Sequence, residues 1–167
     1  MWKNLIEPIA FVVFVIGALV IYRIFGEQDN FTPLLALAVF MPRLTNNTSI
    51  QYLLPVSIMA FSSLFLEPVD LLTFAVILTV FAVTPAISRY TKSLIWGSVS
   101  AMMLWHVAVN GAVWFSGLGF APFSVEAMLF DFRLLFGTGL FVALFYTTEQ
   151  LFQQVTISDK KVIDRLI

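Results

Sequence analysis

The chain alternates long apolar runs with short polar breaks. Runs over 5–25, 50–66, 71–87, 93–115 and 124–152 are each at least 17 residues long and carry few charges. That suits transmembrane helices, which need roughly 20 mostly apolar residues. A further run over 31–42 is short and covers about half of a hydrocarbon core at 1.5 Å per residue. The breaks are Gly26 to Asn30, Pro42 to Thr48, Glu67 to Asp70, Ser88 to Lys92 and Ser116 to Pro122. A transmembrane barrel would instead alternate apolar and polar positions, whereas residues 11–21 and 71–83 are apolar on every face. The pattern predicts an all-α membrane protein: one domain over 1–167, a bundle of about six transmembrane helices with the second one short.

Local signals agree. Thr32 before Pro33 and Ser124 before the last run are helix-start residues, since Thr and Ser cap helices and Pro suits the first turn. Pro55 predicts a kink in the third span. The start, Met1-Trp2-Lys3 and then an apolar run, looks superficially like a signal peptide, but the run ends in Tyr22-Arg23-Ile24-Phe25 without a small-residue cleavage site. It reads as a retained first span.

Composition sharpens this. Sixty per cent of the 167 residues are hydrophobic and 11% charged, with a mean hydropathy of +0.94, against about 25% charged in a soluble domain. The net charge of −1 hides an asymmetry. Alternate connections place Lys3, Arg43, Arg89, Lys92, Lys160, Lys161 and Arg165, seven of the nine basic residues, on one side and only Arg23 and Arg133 on the other. The basic side faces the cytoplasm by the positive-inside rule, which puts both termini inside and requires an even number of crossings. The outer side collects Glu27, Asp29, Glu67, Asp70, Glu126 and Asp131.

Candidate chemistry concentrates in the fifth span. His106, Asn110 and Trp114 stand at i, i+4 and i+8 beside Trp105, and polar groups within hydrocarbon must face protein or water. Two readings stay open: the wall of an outward-facing pocket, with hydrogen bonds from His106 and Asn110 and stacking on Trp105 and Trp114, or polar ties between helices. As the single histidine, His106 could also hold a haem or chlorophyll axially, without an evident second ligand. No cofactor is expected otherwise, and no metal site, since no His, Cys or carboxylate lies one turn from it.

Asn30 and Thr32 lie at the predicted outer start of the second helix, where free backbone N–H groups favour an acidic or polar ligand. The bland reading of that segment is a capped turn. Arg133 lies about two turns into the last helix, placed to pair with Asp131, Asp29 or Glu126 or to contact a ligand. Gly97 with Ala101, Ala108 with Ala112, and Gly137 with Gly139 mark close helix packing. Hydrolase, kinase and zincin signatures are absent, as is any basic nucleic-acid patch. An enzyme is not expected.

Three stretches together carry a family resemblance: Asn30-Phe31-Thr32-Pro33-Leu34-Leu35-Ala36-Leu37-Ala38, Val109-Asn110-Gly111-Ala112-Val113-Trp114, and the helix from Phe130-Asp131-Phe132-Arg133 to Tyr146. They resemble a family of uncharacterised bacterial six-helix membrane proteins that is similar in fold and size to the S components of energy-coupling factor vitamin transporters. The resemblance implies a multi-pass protein of the bacterial cytoplasmic membrane. It also implies an outward-opening pocket for a small, vitamin-like solute and an energising module or other membrane subunit as partner, beside the lipids. S components carry a small-residue docking motif on their first helix, where this chain offers Gly17 and Ala18. The competing expectation is a structural or accessory subunit of a larger membrane complex, contacting lipid or pigment.

Overall fold

A computed structural model describes residues 33–65, 70–117, 119, 121 and 124–163, with side chains as far as Leu151. Five helices make up the described part: α1 (Leu34–Leu44), α2 (Thr48–Ser63), α3 (Leu71–Thr91), α4 (Leu94–Phe115) and α5 (Val125–Ile163). No strand occurs among these residues.

Helix starts follow the capping chemistry of the sequence. The side chains of Asn47, Asp70 and Ser93 accept from the backbone N–H groups of Ile50, Thr73 and Trp96. Ser124 accepts from Ala127 at 3.2 Å, as predicted for the last helix. Pro33 stands at the cap position of α1, so the helix proper begins at Leu34.

Three helices are long and apolar enough to cross a membrane: α3, α4 and the Val125–Leu151 part of α5. The expected count of six is not reached among the described residues. The predicted span over 5–25, with Asn30 and Thr32, lies outside them. The predicted short second span is α1, 11 residues long. At the predicted third span, 50–66, the described helix covers Thr48–Ser63, 16 residues, and Asn47 caps its start by accepting from Ile50 N–H. The last helix runs on to Ile163 rather than ending near residue 152, since nothing in 152–163 breaks helical geometry.

α1 is the hub. Every residue from Leu34 to Met41 is at most 2% exposed, and the helix packs against all four others. Its sequence explains this, because Leu-Leu-Ala-Leu-Ala-Val-Phe-Met has no polar face to turn outward. Around it the longer helices each turn one stripe inward: Thr73, Ile77, Val80, Thr84 and Ser88 on α3, and Asp131, Leu134, Thr138 and Val142 on α5. These are heptad-like spacings of three and four. The inward stripes hold the polar side chains, while Leu53, Phe61, Leu71, Ile95, Phe115 and Phe136 point outward. So much outward apolar surface is what a bilayer solvates and water does not.

Polar contacts lock the two ends. At one end Arg43 pairs with Glu149 at 2.9 Å and lies over the Tyr146 and Phe40 rings, while Arg89 bonds Gln51 and covers Tyr52. At the other, Ser116 Oγ donates to Asp70 Oδ1 at 3.0 Å. Gly97 brings α4 against α3. A Cβ there would stand 3.2 Å from Ser88 Oγ, and that hydroxyl donates to Val39 O of α1 at 2.6 Å.

Candidate functional site

The inward edges of α4 and α5 meet at a polar cluster. α4 widens into a π-helical turn over His106–Asn110, a feature that often accompanies functional sites. In that turn His106 Nδ1 and Asn110 Nδ2 come within 3.4 Å of each other. Both groups converge on one carboxylate oxygen. His106 donates from Nδ1 to Asp131 Oδ2, and Asn110 Nδ2 donates to the same atom at 2.8 Å.

Asp131 is 2% exposed. Its second oxygen, Oδ1, is buried and has no hydrogen-bond partner among the described residues. Leaving a buried polar atom unsatisfied is expensive. Such a group is ordinarily explained by strain, by a bound molecule or by function.

Asp131 forms part of the wall of an open cleft of about 220 Å³. The other lining residues are Met102, Met103, His106, Val107, Met128 and Phe132. Met103, Val107 and Phe132 are 64%, 70% and 61% exposed, so the cleft opens on the side of the bundle rather than at its end. By 1.5 Å of rise per residue, Asp131 lies about 9 Å and His106 about 13 Å from the Ser116 end of the helices. Among the described residues no three His, Cys, Asp or Glu side chains gather as a metal site would need.

The sequence-predicted site residues divide. His106 and Asn110 do converge. Trp105 turns into the core, 8% exposed and edge-on to Phe81 at 6.3 Å, so it stacks on a neighbouring ring and lies off the cleft. Trp114 is half exposed and does not line the cleft, because it stands two positions past inward-facing Ala112 and so on the opposite side of α4. Arg133 is exposed, two positions beyond Asp131 on the other side of α5, so the expected Arg133 pairing with Asp131 does not form. Asn30 and Thr32 lie outside the described residues. Asp131, which the charge pattern places among the outer-side acids, is instead a buried centre of the cluster. The available signal was its phase: it leads the Asp131, Leu134, Thr138, Val142 stripe between two phenylalanines, and an acid on an apolar helix at that depth is a functional candidate.

A family described as "Family of unknown function (DUF6580)" matches residues 3–160, nearly the whole chain. The chain belongs to the DUF6580 family. No curated protein and no solved structure matches it. The DUF6580 description assigns no activity to its members.

Proposed function

We propose that this DUF6580 chain is a small-solute binding or transport subunit of the bacterial cytoplasmic membrane, with Asp131, His106 and Asn110 as its recognition group. The observation that carries this reading is Asp131, a carboxylate 2% exposed at a cleft wall, whose Oδ2 accepts from His106 and Asn110 and whose Oδ1 has no partner among the described residues. His106 and Asn110 fix the orientation of the carboxylate, so its remaining lone pairs are offered to an incoming donor. Preorganised acceptors of this kind bind well because their ordering cost is met in folding.

The cleft is smaller than the roughly 300–1,000 Å³ of sites that enclose drug-sized molecules, which suits a compact ring or a single polar end. The basic bias of the Arg43, Arg89 and Lys92 end favours that end as cytoplasmic, and Asp131 then lies in the outer half of the bilayer. In the transport form of the reading, a separate energising subunit supplies the driving force.

The test is a thermal-stability screen of the purified full chain against vitamins, their precursors and amphiphilic metabolites. A ligand at 100 times its Kd stabilises by about 2.7 kcal/mol. A hit is expected to lose its effect in Asp131→Asn and in Asn110→Ala. A hit that survives both substitutions unchanged removes the cluster from recognition.

A further inference from the structure

We propose that the cleft loads sideways from the bilayer, and that its occupant is a membrane-dissolved amphiphile whose polar end is a hydrogen-bond donor, a hydroxyl or an amine. This deepens the reading of Asp131 as the recognition group and rests on it. Three observations carry it.

The first is direction. Met103, Val107 and Phe132 are the most exposed residues of the lining and sit on α4 and α5, helices long and apolar enough to span a membrane. A mouth framed by side chains that face acyl chains admits what is dissolved among acyl chains. A water-soluble solute would have to shed its hydration before reaching it.

The second is polarity. Five of the seven lining residues are Met, Val or Phe, and three of these are Met. The thioether is polarisable and unbranched, so Met walls adapt to apolar bodies of differing shape. The polar contribution is confined to His106 and Asp131.

The third is the chemistry at the floor. Among the described residues Asp131 Oδ1 is a buried oxygen without a partner beside an Oδ2 that already takes two donors, and carboxylate oxygens accept. It therefore selects a donor: hydroxyl and amine ends fit, while a carboxylate, an ether or an ester does not. The volume of about 220 Å³ takes the polar end and the first part of a chain, leaving the tail in lipid.

The experiment uses the full chain in phosphatidylcholine vesicles with a diazirine-bearing long-chain alcohol as photolabel. Labelling is expected on peptides containing Met103, Val107 or Phe132, and unlabelled dodecanol or dodecylamine is expected to compete while dodecyl methyl ether is not. Whichever of the alcohol and the amine competes better identifies the donor. Asp131→Asn should weaken labelling about tenfold, the scale of losing one hydrogen bond. Val107→Trp, which fills the mouth without touching the cluster, should abolish it in protein shown to be folded by its thermal transition. Equal competition by the methyl ether, or labelling unchanged in Val107→Trp, overturns the proposal. If a water-soluble solute stabilises the chain through Asp131 while the alcohol leaves the cleft unlabelled, lateral loading fails and the binding function stands. If neither binds, both fail.

Discussion

His106 on α4 and Asp131 on α5 are joined through Nδ1 and Oδ2, and with Asn110 on the same oxygen they form a polar link between the last two helices. Removing one member of a buried hydrogen-bonded pair costs about 1–3 kcal/mol, because it leaves the other short of a partner, whereas replacing both by apolar side chains can be near neutral. His106→Leu is therefore expected to destabilise the chain. His106→Leu with Asp131→Leu should cost less than the sum of the single changes. Reversible unfolding in mixed micelles measures all four corners of the cycle, and strict additivity would show that the two side chains do not interact.

Gly97 sets the distance between α3 and α4. A methyl there meets Ser88 Oγ at 3.2 Å and Ser88 Cα at 3.3 Å, so Gly97→Leu must part the helices and break the Ser88 bond to Val39. The expected loss is about 1–3 kcal/mol, the usual range for overpacking, with Gly97→Ala less harmful. Thermal unfolding of the two variants side by side checks the order.

Asp70 caps α3 at the Ser116 end. Hydrogen bonds from Thr73 first, and then from Ser116, hold its carboxyl below the usual carboxylate range. A lowered folded value means that its stabilisation is complete above the unfolded value of about 3.9 and is lost as pH falls through the folded one. Acid unfolding of Asp70→Asn should consequently lose part of the pH dependence seen in the native chain. Identical acid profiles for the two proteins would count against this role.

The chain has no cysteine, so single cysteines report sidedness cleanly. In oriented vesicles, Lys92→Cys and Gly117→Cys lie at opposite ends of α4 and should react with a membrane-impermeant maleimide from opposite sides. Positive-inside bias predicts the Gly117 site to be the external one. Labelling of both from one side would contradict a crossing by α4.

The long helices and their caps were legible because their evidence is local: runs of apolar residues, Ser124 before the last one, Asp70 before the third. The small-residue reading of Gly97 with Ala101 was likewise legible, and both are buried at a helix contact. The His106, Asn110, Trp114 stripe was legible only in its first two members. A uniform helical wheel gives no weight to which face of α4 meets the core, and the inward side passes through Trp105, Val109 and Ala112. Asp131 was hidden for a different reason. Charge counting assigned it to a membrane face, whereas its tertiary neighbours 21 and 25 residues away in sequence decide that it is inside.

α1 brings a constraint of another kind. Eleven residues are too few to hold a position in a bilayer unaided, and an isolated helix of that length is marginal even in water. Among the described residues its place is defined by the four helices that pack against it. The segment that comes first in the described fold is thus the one whose position depends on every helix made after it.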